Sequence, residues 1–184
     1  MLHIFWDNSN IHFVGLNHVF PLNDPGVERG KYRTHFLNLL ELARDGRELK
    51  TAVVAGSVPP PSDGVWNHLK SLGVNLQLLN RDLTNKEVGV DETIQTYLLR
   101  TMIDVDPPET IALLTGDGAG EEFGIGFLSD IKRAHKLGWN IEVYSWGAGC
   151  KRELREFAQQ HGKYVNLEDH YNHITFILGG RRPV

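Results

Sequence analysis

The chain has a single cysteine, Cys150, which excludes an intramolecular disulfide framework and any zinc site built on paired thiolates. Cys150 reads as a structural thiol. No apolar run approaches the roughly 18 residues that a membrane helix needs, so a membrane partner is not expected. The opening Met1-Leu2-His3-Ile4-Phe5-Trp6-Asp7 lacks the basic start and small-residue cleavage site of a signal peptide. A cytoplasmic protein is expected. Positive charge is not in excess either: 19 Lys and Arg stand against 23 Asp and Glu, a formal net charge of -4, which excludes the global basic field of an indiscriminate nucleic-acid binder. Two local basic sets remain, Lys132, Arg133 and Lys136, then Lys151, Arg152 and Arg155, and their spacing suits solvated helix faces equally well. No glycine run ends in the Gly-Lys-Ser/Thr of a P-loop, and no Gly-x-Ser-x-Gly nucleophile elbow occurs.

What is present is an ordinary globular composition, 41% hydrophobic and 23% charged over 184 residues, enough for one domain with a proper core. One domain over 1–178 and a flexible tail over 179–184 are expected. Short apolar runs alternate with segments of helical period, which predicts an α/β domain with a mainly parallel sheet. Strands are expected at Leu2 to Trp6, Lys50 to Ala55, Val74 to Leu79, Thr110 to Leu114, Asn140 to Ser145 and His173 to Leu178. Helices are expected at Tyr32 to Ala43, Gly64 to Leu72, Glu92 to Ile103, Glu121 to Leu137 and Lys151 to Gln160. Asn17 to Gly30, with Pro21 and Pro25, reads as a mobile loop, and Pro59 to Gly64 as a stiff exposed connection.

In four places, acids fall just after a strand or at a helix start: Asp7 in Asp7-Asn8-Ser9-Asn10, Asp91 after Lys86-Glu87-Val88-Gly89-Val90, Asp117 in Thr115-Gly116-Asp117-Gly118, and Glu121-Glu122. In a parallel sheet all of them converge on one edge, where they repel unless cations or shared protons neutralise them. Mg²⁺ or Mn²⁺ suits such oxygen-only coordination. Taken singly, each acid is explained as well by helix capping or an Asx turn. Capping does not explain why Asp7 and Asp117 both sit in Gly/Asn/Ser-rich turns after the two most hydrophobic strands. The run Gly116, Gly118, Gly120 imitates a dinucleotide loop, but it does not follow the first strand, its third glycine is misplaced, and the neighbouring acids repel a pyrophosphate. Its glycines are expected to bend the backbone so that the acids meet. His170-Tyr171-Asn172-His173 is too weakly specific to be a metal site.

These motifs resemble the NYN family, PIN-like metal-dependent ribonuclease domains that include LabA-like bacterial members. Phe5-Trp6-Asp7-Asn8-Ser9-Asn10 matches the family's apolar strand ending in Asp-x-x-Asn, and Val88-Gly89-Val90-Asp91 its Lys-Gly-x-Asp region. Thr115-Gly116-Asp117, followed after extra residues by Glu122-Phe123, is similar to its Ser-Gly-Asp-x-Asp-Phe turn. Leu137 to Val143 and Tyr164 to Tyr171 match the later helix-Gly-strand step and the closing segment. The chain departs from the family in the longer turn, in Glu for the second Asp, and in the early position of Lys86. The resemblance implies a three-layer α/β PIN-like, Rossmann-like fold and hydrolysis of RNA phosphodiester bonds with Mg²⁺ or Mn²⁺. It implies that Asp7, Asp91, Asp117 and Glu122 are metal-binding and catalytic, and that Asn10, Thr115, Arg81 and Lys86 are on the substrate side. The alternative is a non-catalytic RNA-binding or scaffold module with a degraded site. A homo-oligomer is compatible with either.

Overall fold

The run Leu2-His3-Ile4-Phe5-Trp6 has apolar side chains on both alternating sets, the pattern of a strand covered on both faces. In the computed structural model, which describes residues 1–57, 64–80, 82–83, 88–118 and 124–180, this strand, β1 (Leu2–Asp7), is wholly buried. Leu2, Ile4 and Trp6 enter one hydrophobic core, while Phe5 enters a second on the opposite face. Around it lie β3 (Leu49–Ser57), β4 (Asn75–Leu79), β5 (Thr110–Leu114), β6 (Asn140–Ser145) and β7 (Lys163–Asn166). The sheet order is β4-β3-β1-β5-β6-β7, and every neighbouring pair is parallel. The expected mixed α/β architecture with a parallel central sheet is therefore what the chain adopts.

Helices cover both faces. On the Trp6 side pack α1 (Asn8–Val14), a π-helical turn (Gly15–Val19), α2 (Phe20–Asn23), α3 (Phe36–Arg44), α4 (Gly64–Ser71) and α8 (Tyr171–Ile174). On the Phe5 side pack α5 (Val90–Asp104), α6 (Phe127–Lys136) and α7 (Arg152–His161). The chain builds outward from β1 to β4 and then returns to build from β5 to β7, so the strand order reverses between β1 and β5. Right-handed crossovers running in opposite directions place their helices on opposite faces, which is the division seen. Open α/β sheets bind ligands in the crevice beyond the carboxyl ends of the strands at such a reversal.

Four sequence expectations are corrected. Tyr32 to Ala43 is not one helix: β2 (Tyr32–Thr34) comes first and pairs antiparallel with β8 (Thr175–Ile177), a ribbon outside the main sheet. Tyr32 and Thr34 are both buried, and three residues are too few to separate a period of 2 from one of 3.6. The first half of the expected loop at Asn17 to Gly30 is helical, because Pro21 falls in the first turn of α2, where its missing N–H costs nothing. β7, four residues none of which is fully buried, has no counterpart among the expected strands. Of the helix expected at Glu121 to Leu137, the part from Phe127 forms α6, and Gly124 and Gly126, with φ of 68° and 86°, lie ahead of it outside the helix. The Pro59 to Pro61 loop, Glu121 to Phe123 and the tail from Arg181 lie outside the described residues.

Candidate functional site

Asp7 ends β1 and directly caps α1. Its Oδ1 accepts the Asn10 backbone N–H at 2.9 Å, the local bond that turns a buried strand into a helix within one residue. Its Oδ2 accepts the Thr115 hydroxyl at 3.2 Å. Thr115, fully buried one residue beyond β5, also accepts the Asp117 N–H at its Oγ1 at 3.2 Å. The Asn10 side-chain oxygen accepts the Gly116 N–H at 2.9 Å. Asp7, Asn10, Thr115 and Asp117 are thus one hydrogen-bonded unit spanning the gap between β1 and β5, at the reversal of strand order.

Asp91 arrives from the other side. Gly89, in the left-handed region at φ 82°, starts α5, a conformation glycine takes without steric cost. Asp91 and Glu92 occupy the first turn of that helix, where the helix dipole favours negative charge. The cleft between these elements, about 580 Å³, is lined by Asp7, Asp91 and Asp117, together with Asp82 and Glu92. None of its described lining side chains is basic. Asp7, Asp91 and Asp117, three of the carboxylates expected from sequence to share one sheet edge, therefore line one cleft, while Asp82 lay too deep in an aperiodic loop to be noticed.

Gly116 and Gly118 do a different job from the one expected. Neither has a left-handed backbone. A Cβ on Gly116 would lie 2.7 Å from both the Gly149 carbonyl and the Ser145 hydroxyl, and one on Gly118 would lie 3.1 Å from Lys151 Cβ. They let the turn carrying Asp117 pack against the loop before α7, where the Lys151 N–H donates to the Gly116 carbonyl at 2.9 Å. That loop is fixed in turn by Glu168, whose carboxylate accepts the Gly147 and Ala148 N–H groups at 2.8 and 2.9 Å. Cys150 lies beside it, and burial pushes its thiol pKa up, as suits a structural rather than a reactive cysteine.

The oxygen-only donors of the cleft match what Mg²⁺ or Mn²⁺ prefers. Among the described residues no three His, Cys, Asp or Glu side chains form a ready-made metal group. Mg²⁺ does not require one: it usually keeps several waters and takes one or two carboxylates plus substrate phosphates. The donor chemistry therefore fits. Glu122, Arg81 and Lys86, expected on the same site, lie outside the described residues. The two basic sets behave as helix surface: Arg133 pairs with Asp130 at 2.8 Å, and Arg152 lies 3.6 and 3.8 Å from Glu153 and Glu156. Among the described residues no helix is long and apolar enough to cross a membrane.

The crystal structure of a protein of unknown function from Vibrio parahaemolyticus is similar to this chain with a TM-score of 0.64 at 15% identity, covering 96% of this chain and 95% of that one. At that identity the likeness concerns the fold alone. No curated protein matches the chain. The model of the NYN domain matches residues 2–167, a span that begins at β1 and takes in Asp7, Asp91, Asp117 and all six strands of the sheet. The chain belongs to the NYN domain family, whose members are PIN-like nucleases.

Proposed function

We propose that the protein is a metal-dependent ribonuclease that hydrolyses RNA phosphodiester bonds. The observation that carries this is the joining of Asp7 and Asp117 through Thr115 at the reversal of strand order, in one cleft with Asp91. Asp7, Asp91, Asp117 and Glu122 are the residues that would hold Mg²⁺ or Mn²⁺. When bound, such an ion supplies Lewis acidity toward a phosphoryl oxygen and lowers the pKa of an attacking water. The chain's own part is placement. Asp7 is fixed by two hydrogen bonds, Asp91 by the first turn of α5, and Asp117 by its N–H on Thr115. Asn10 ties the β5 turn to α1, and Arg81 and Lys86, which precede Asp91 in the sequence, meet the substrate backbone.

A second reading, an RNA-binding module with a degraded site, gains from the lack of a ready three-ligand group among the described residues and from Glu122 standing where the family has Asp. Cleavage of a mixed RNA pool, first in a chelator and then with Mn²⁺ restored, separates the two, together with a Mn²⁺ titration. Cleavage that follows the metal supports the nuclease. RNA binding with neither cleavage nor Mn²⁺ uptake establishes the module.

A further inference from the structure

A cleft walled by carboxylates repels the phosphate chain it has to admit, so part of the binding energy must come from elsewhere. The cleft wall contains one aromatic ring among its described residues: Phe13, on α1, lines it together with Asp7, Asp91 and Asp117 and is 40% exposed. Phe13 follows Asn10 by three residues on the same helical face and lies about 9 Å along the helix from Asp7 at 1.5 Å per residue. That is the reach of a neighbouring nucleotide rather than of the scissile phosphate itself. The ring is also braced. His12 meets it edge to face at 5.4 Å and 72°, and His12 is held by the Thr34 hydroxyl at 3.2 Å and by the Tyr32 ring at 5.4 Å. Val14 and the exposed Val88 complete an apolar stretch of the same wall.

Resting on the reading of the cleft as a ribonuclease site, we infer that Phe13 is a stacking platform for an unpaired base adjacent to the scissile phosphate. Every base has a π-face, so a ring of this kind binds without demanding a sequence, and base-aromatic stacks contribute roughly 1–3 kcal/mol by alanine substitution. The braced ring loses little freedom on binding. The helix that caps Asp7 thereby also sets the distance between the stacked base and the acids.

The test uses the full chain with a fluorescent single-stranded RNA, read as Kd in chelator and as KM and kcat with Mn²⁺. Phe13→Ala is expected to raise Kd and KM about tenfold, the factor that corresponds to a stack of this size, and to leave Mn²⁺ affinity unchanged. Phe13→Trp is expected to restore binding and to show emission quenched by RNA. This signal is separable because Trp6, Trp66, Trp139 and Trp146 are at most 7% exposed. An RNA with one base removed at the stacked position should bind the wild type more weakly and the Phe13→Ala variant no more weakly than the intact RNA. A Kd for Phe13→Ala within about twofold of wild type, or the same abasic penalty in both proteins, overturns the inference. Should the wild type bind RNA yet cut none, the nuclease reading falls, while the Kd comparison still decides the stacking role.

Discussion

Thr115 uses one hydroxyl twice, donating to Asp7 and accepting from the Asp117 N–H, and it does so with no exposure to water. Thr115→Val keeps the shape and removes both bonds. It is expected to lower stability by about 1–3 kcal/mol, the cost of leaving buried polar groups unsatisfied, and to lower cleavage, while Thr115→Ser restores both; denaturant midpoints and initial rates measure this. Asp117→Asn should behave differently. It keeps the backbone bond to Thr115 and removes one of several mutually repelling charges, so metal-dependent cleavage is lost while the melting temperature without metal holds or rises. A markedly lower melting temperature would make Asp117 structural. The three aspartates were legible in the sequence because strand ends in a parallel sheet share an edge. Phe13 was not, since an aromatic at helical spacing reads equally well as core, and only its place in the cleft distinguishes it.

At the level of elements, the strands Thr110–Leu114 and Asn140–Ser145 were legible to the residue, the first as an apolar run and the second from Ile141, Val143 and Tyr144 set between polar ends. Short elements such as β2, which buries only alternate positions, and β7, which buries none fully, carry too little pattern to be read. The helical path from Asn8 to Asn23 was hidden because its π turn breaks the 3.6-residue period at Gly15–Val19. That turn gives a prediction that runs against helix propensity. Gly15 has ordinary helical φ and ψ of -55° and -50°, so Ala there would normally stabilise by roughly 0.5–1 kcal/mol. A Cβ at Gly15 would lie 2.1 Å from the Tyr32 hydroxyl and 3.2 Å from Trp146 Nε1. Gly15→Ala is therefore expected to destabilise by about 1–3 kcal/mol, the usual range for overpacking, as a lower urea midpoint. A neutral or higher midpoint would show that β2 yields easily.

For the molecule as a whole, the buried His3 and the half-buried His12 make stability depend on pH near neutrality. Burial lowers the pKa of His3 despite its hydrogen bond to Glu109, and burial with the nearby Arg33 charge lowers that of His12. Below the ordinary value of 6.5 the unfolded chain takes up protons that the folded chain refuses, so stability rises with pH and is lost as pH falls through that value. Urea midpoints between about pH 7.5 and 5.5 should decline, with a slope of at most roughly 1.4 kcal/mol per pH unit for each histidine. His12→Gln should flatten part of that slope; an unchanged slope would remove His12 from the account. The position of β1 at the sheet centre has a consequence for synthesis. Its partner β5, paired from Leu2↔Thr110 to Trp6↔Leu114, leaves the ribosome about 100 residues later, or roughly 5–20 s at ordinary elongation rates. Throughout that interval β1, wholly buried in the folded chain and with Asp7 at its end, has one flank uncovered. The nascent protein must shield that flank until β5 arrives, and a chain halted before Thr110 carries an open, sticky sheet edge to whatever it meets first.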